Sequence, residues 1–99
     1  MISRQWRGIA KRSEADRYIS HLRAETFPQL ANIPGFVNAS ILRREVAEGI
    51  EFRIVTTWKS IEAIRGFAGE NAERAVVPEI VEKIMVSCDR SVDHYEVVE

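Results

Sequence analysis

The groups in this chain with chemistry to offer are two histidines, one cysteine, and the aromatic and amide side chains spaced along extended segments. His94 lies in SVDHYEVV, a strand-like stretch, and an imidazole titrates near neutrality, where a general base must work. The adjacent Tyr95 points to the opposite face of such a strand and cannot orient it. A structural or interfacial histidine is the commoner use of that position. Asn38, on another extended stretch, offers an amide that either bonds a neighbouring strand or polarises a ligand. Trp6, Tyr18 and Trp58 each carry an N–H or O–H on a large apolar body. For Trp58, within an apolar strand face, core packing is the commoner use. His21 falls beside exposed helix positions and is expected to be solvated.

Other chemistries find no support in the spacing. His21, His94 and Cys88 are too scattered to ligate a metal, so no metal or other cofactor is expected. No Gly-rich loop precedes a helix, as a phosphate cradle would require. Cys88 stands before Asp89, whose charge raises a thiol pKa and disfavours nucleophilic use. Arg4, Arg43, Arg44 and Arg53 lie on strand faces. They either pair with Glu45, Glu51 or Glu96, the commoner arrangement, or bind an anionic ligand.

The elements that must position these groups are readable from periodicity. Ile50, Phe52, Ile54, Thr56 and Trp58 share one strand face, and Ser60 then caps a helix carrying Ile61, Ile64, Phe67 and Ala68 until Gly69. Residues 2–9 form a first strand. Ser13 is expected to cap a helix in capping-box fashion with Asp16, burying Ala15, Tyr18, Ile19, Leu22 and Thr26. Pro28 ends or kinks that helix. Pro34-Gly35 turns into a second strand over 36–45, and Glu48-Gly49 closes a hairpin. Residues 70–77 are expected to be a helical piece, Pro78 opens another turn with Ile80, Val81, Ile84 and Met85, and residues 91–98 make the fourth strand. The order β-α-β-β-α-β is the ferredoxin-like α+β pattern, a four-stranded antiparallel sheet with helices on one face. The strands read as apolar on both faces, which calls for a second copy over the bare one.

Ninety-nine residues make a single domain, 1–99, able to bury about two-thirds of the surface of its unfolded chain. A net charge of −1 gives no footprint for nucleic acid. The longest uncharged stretch, 26–42, is polar and broken at Pro34-Gly35, so no membrane span is expected. Arg4 and Arg7 interrupt any signal-like apolar run, and a lone cysteine suits a reducing compartment, so a cytoplasmic location is expected.

Pro34-Gly35-Phe36, EFRIVTTWKS, IEAIRGFAGE and VDHYEVV occur in this order, and together they resemble the antibiotic biosynthesis monooxygenase (ABM) domains of the dimeric α+β barrel superfamily. The resemblance implies a homodimer with sheets face to face and a small-molecule pocket between sheet and helices in each subunit. Members of that group include oxygenases without metal or flavin, heme degraders, and isomerases of small phosphorylated signals. The heme degraders use an Asn on the first strand, a Trp on the second helix and a His as iron ligand. Here those positions fall near Trp6 or Arg7, at Phe67, and at or beside Val77, which disfavours heme degradation. The oxygenase branch implies a deprotonated phenolic substrate that reacts directly with oxygen. Its parts here would be His94 as base and Asn38 as a polarising donor, with Trp6, Tyr18, Phe52, Trp58 and Phe67 around the substrate and Tyr95 as a second phenol. The leading expectation is a cofactor-independent monooxygenase of a small aromatic or quinone-like compound. The alternatives are a non-catalytic binding or accessory dimer and an isomerase using the arginines.

Overall fold

The computed structural model describes residues Met1–Glu99. Its centre is a pair of antiparallel strands, β1 (Ile2–Ala10) and β3 (Gly49–Trp58), in register from Ile2 opposite Trp58 to Ala10 opposite Ile50. β2 (Phe36–Val46) pairs on the outer side of β3 through the expected hairpin, with a register shift near its start between Phe36 and Asn38. On the other side, β4 (Met85–Cys88) and β5 (Asp93–Glu96) pair in turn along β1. The strand order is therefore β2-β3-β1-β4/β5, the ferredoxin-like arrangement that the sequence pattern leads one to expect.

One face of the sheet carries the helices. The first begins with a 3-10 turn, Arg12–Glu14, and continues as α1 (Ala15–His21), a single π turn (Leu22–Thr26) and α2 (Phe27–Ala31). The π turn is closed by the Phe27 N–H donating to the Leu22 carbonyl. α3 (Ile61–Ala68) and α4 (Glu79–Ile84) complete the layer. Ser60 caps α3 by accepting from the Ala63 N–H at 3.2 Å, and Gly69 ends it at φ 84°, a left-handed value that favours glycine. The alternating strand residues Phe52, Ile54, Thr56 and Trp58 are all buried beneath these helices. Two clusters make the core, one around Tyr18, Phe52 and Ile84 and one around Leu30, Trp58 and Ile64.

Four expectations need correction. Ser13 caps nothing, because the chain enters α1 through the 3-10 turn, where Glu14 N–H donates to the Lys11 carbonyl. Pro28 does not end its helix, since the backbone runs on helically through it to Ala31, directly after the π turn over Leu22–Thr26. Residues 70–77 are not helical. Val77 precedes Pro78, which disfavours helical backbone there, and the segment instead pairs with residues 90–92. Ala75 N–H donates to Arg90 and Val92 N–H to Glu73, with Arg74 bridging to Ser91. That pairing pulls the fourth strand off the sheet midway, so a single strand over 91–98 is replaced by β4 and β5, and Met85 begins a strand rather than ending a helix.

The bare face is also more polar than its pattern promises. Glu51 lies on it near the β2–β3 hairpin, its side chain 7% exposed, between Arg7 Nε at 2.6 Å and Arg44 Nε at 2.5 Å. These contacts, led by Arg44, hold the Glu51 carboxyl below the ordinary range. Asn38, Ser40 and Thr57 share the face by register with Leu42, Val55 and Tyr95, so it is mixed rather than apolar.

Candidate functional site

Between the sheet and the helices lies a partly enclosed, mainly apolar cavity of roughly 100 Å³. Arg4, Trp6, Ile54 and Thr56 floor it from β1 and β3. Tyr18, Leu22, Thr26 and Leu30 wall it from the α1–α2 helix, Phe67 comes from α3, and Val81 comes from α4. Gln29, Val76 and Pro78 are exposed and frame its opening.

The polar groups at this cavity are all donors or neutral. Arg4 is 7% exposed; its Nη2 donates to the Arg74 carbonyl at 2.9 Å, and its guanidinium sits 5.4 Å from the centre of the Phe67 ring. Its Nε is buried without a partner. Burial lowers its pKa to about 10, so it stays charged at neutral pH. Tyr18 is 2% exposed, and burial raises its phenol pKa, so its hydroxyl remains a donor. No carboxylate, imidazole or thiol lines the cavity.

The expected site residues divide accordingly. Trp6, Tyr18 and Phe67 do line the cavity. The Trp6 indole N–H is already engaged with the Asp89 carbonyl at 2.8 Å, so Trp6 offers a wall rather than a donor. Phe52 is fully buried behind Tyr18, edge-on at 4.9 Å. Trp58 is fully buried and donates to Thr56 Oγ1 at 2.9 Å, with Phe36 and Phe67 against its ring. Neither Phe52 nor Trp58 lines the cavity. Asn38 stands opposite Thr57 on the other face of the sheet and is exposed, so the fold does not bring it to this cavity.

His94 stands opposite Arg4 in the β1–β5 register, on the helix side, but borders a shallow open depression with Glu73 and Ser91 instead. Its Nε2 is buried without a partner, and burial, then the charge of Arg4, lowers its pKa. Tyr95 is exposed on the opposite face. His21 shares a 3.4 Å contact between Nε2 and Thr26 Oγ1. No group of three or more His, Cys, Asp or Glu is placed to hold a metal. Arg4 is the residue that sequence reasoning undervalued. The signal was a charged side chain in the same strand alternation as Trp6, on the face that meets Ile54 and Thr56.

An antiparallel sheet in this order, with its helices on one side and a cavity between the layers, defines a ferredoxin-like α+β protein. The chain has the fold of the antibiotic biosynthesis monooxygenase domain, as solved structures bear out. A Bacillus cereus protein assigned as an antibiotic biosynthesis monooxygenase superposes with a TM-score of 0.67 at 17% identity, over 100% of this chain and 94% of that one. SnoaB, a cofactor-independent oxygenase from Streptomyces nogalater, matches at 0.66 and 15% identity over 99% and 93%. The heme degrader MhuD from Mycobacterium tuberculosis, with two hemes in its active site, matches at 0.61 and 23% over 100% and 97%. No family model matches the sequence. No curated protein matches it either. At these identities the likeness is one of fold.

Proposed function

We propose that this protein is a cofactor-independent monooxygenase of a small aromatic or quinone-like compound, held in the cavity between sheet and helices. The observation that carries this reading is the cavity itself, an apolar, aromatic-walled space whose only charge is the Arg4 cation. A phenolate placed there is stabilised against its neutral form, because a nearby cation in a dry site favours the anion. Its ring carbon can then add oxygen directly. For a phenol with an open para carbon, one oxygen atom becomes the quinone carbonyl and the other leaves as water. The substrate supplies all the electrons.

His94, outside the cavity wall, has no part in this scheme, and neither has Asn38. Heme degradation is disfavoured, since no histidine lines the cavity. The volume is also below the roughly 150 Å³ that a benzene-sized guest occupies, so a macrocycle would require the walls to part. The shared fold with SnoaB supports the oxygenase class, and the bare sheet face supports a homodimer. No helix is long and apolar enough to cross a membrane, and the lone free Cys88 fits a reducing, cytoplasmic setting.

Oxygen uptake with a panel of single-ring phenols and hydroquinones tests the reading. Saturable uptake with quinone formation, abolished when the cavity is blocked by Ile54→Trp, is the expected result. No uptake above the uncatalysed rate with any member sinks it. A non-catalytic binding dimer is the second reading, favoured by the absence of any titratable base in the cavity. It predicts saturable binding of the same phenols with no uptake.

A further inference from the structure

We propose that Arg4 makes the cavity selective for a single-ring ligand bearing an anionic oxygen, carboxylate or phenolate, bound as the ion; this rests on the cavity being the site proposed above. Only two charged residues are buried in the molecule, Arg4 and Glu51. Glu51 has two arginines against it. Arg4 has no carboxylate within ion-pair distance, although Arg7, Arg12, Arg17, Arg44 and Arg90 each have one. A buried cation without a counter-charge is unfavourable unless something else compensates it.

What Arg4 does possess is incomplete. The Arg74 carbonyl takes one N–H and the Phe67 ring takes one face, while Nε has no acceptor. His94, its neighbour across the strand pair, carries no negative charge to offer. The guanidinium's Nη1 has no hydrogen bond in the chain and, unlike Nε, is not sealed from the space beside it, so the cavity that Arg4 lines can supply the acceptor it lacks. Tyr18, which lines the same cavity from the α1–α2 helix, carries a further hydroxyl donor. At roughly 100 Å³ the cavity is smaller than the roughly 150 Å³ that holds benzene, so one ring is the most it takes, with its substituent in the opening framed by Gln29, Val76 and Pro78. An anion that enters already ionised has no proton left to lose, which accounts for a cavity with no base in it.

The test compares three one-ring probes at neutral pH: benzoate, 4-nitrophenolate and the neutral benzyl alcohol. Binding is read by calorimetry and by the Arg4 Nε–H resonance in 15N spectra. At least one of the two anions is expected to bind about 10- to 100-fold more tightly than benzyl alcohol, the range of one charge-assisted hydrogen bond. It should also shift the Nε–H resonance, and which anion does so separates a carboxylate from a phenolate ligand. Arg4→Met should abolish the preference while Arg4→Lys keeps part of it. Should Arg4→Met fail to fold, the resonance shift in the unmodified protein decides. Equal binding of benzyl alcohol, an unmoved Nε–H, or no binding of either anion overturns the proposal. Anion binding with no oxygen uptake across the panel of open-para phenols and hydroquinones leaves it standing and removes the monooxygenase reading. Uptake without anion preference does the reverse.

Discussion

The same substitution, glycine to alanine, should act with opposite sign at two positions of this fold. Gly8 lies on β1 under the Trp6 ring, and a Cβ there would come within 2.6 Å of Trp6 Cη2 and 3.1 Å of Met85 Sδ. Trp6 has little freedom to yield, because its indole N–H is held by the Asp89 carbonyl at 2.8 Å. Either that bond breaks or the ring tips toward the cavity. Overpacking of this kind typically costs about 1–3 kcal/mol. For a chain of this length each kcal/mol moves Tm by about 4–8 °C, so Gly8→Ala should lower it by roughly 5–20 °C. Gly66 sits inside α3, exposed, and the nearest atom a Cβ would meet is Ile33 Cγ2 at 3.5 Å. Removing the glycine's excess unfolded-state freedom should there stabilise by about 0.5–1 kcal/mol. Parallel thermal melts, with tryptophan fluorescence to follow Trp6, measure both. Gly8→Ala melting at or above the parent temperature would show that Trp6 is not packed over Gly8. A destabilised Gly66→Ala would refute the account of an open helix surface.

Trp58→Phe should cost about 1–3 kcal/mol, since the buried Thr56 hydroxyl loses its donor, yet leave ligand affinity per folded molecule unchanged; a changed affinity would return Trp58 to the site. Glu51 has a folded-state pKa below its unfolded one, so its contribution to stability is present above the ordinary carboxylate range and is lost as pH falls through the lowered value. Urea titrations across that window should show the loss in the parent and not in Glu51→Gln; identical slopes would refute the Arg7–Glu51–Arg44 account. His94 is also lowered, so it favours folding above its ordinary pKa and opposes it as pH falls below; His94→Gln should remove that dependence and keep turnover. A turnover loss of about 10²–10⁴-fold in a folded His94→Gln would restore it as the general base. Sedimentation should give about twice the 11.3 kDa chain mass, and a monomer at micromolar concentration would remove the dimer.

Periodicity made the sheet legible because its signals are local. Phe52, Ile54, Thr56 and Trp58 alternate cleanly, and Ser60 and Gly69 bound α3 with recognisable cap chemistry. The break between β4 and β5 was not legible, because it depends on residues 73–75 competing for the backbone of residues 90–92, a partnership between distant segments. The site divided along the same line. Trp6 and Tyr18 could be placed by face, but whether a large aromatic lines a void or fills one depends on every neighbour at once. Asn38 illustrates the sharper failure. The register shift between Phe36 and Asn38 puts it on the face away from the helices, and a slip of one residue reverses every side chain after it.

The π turn at Leu22–Thr26 sets the rotational phase of one wall. Tyr18, Leu22, Thr26 and Leu30 all reach the cavity at steps of four residues. In a regular helix each such step overshoots a full turn by about 40°, and three steps would swing Leu30 about 120° away from Tyr18. The wider turn takes back much of that rotation. Deleting one residue of this turn would return the helix to regular winding with Leu30 eleven residues after Tyr18, about 20° from its phase, so Leu30 stays in the wall while its place in the count changes by one. Two chains of this fold that differ by one residue there would present different positions to the same space. Transfer of roles between them by counting would then slip from residue 22 until the helix ends.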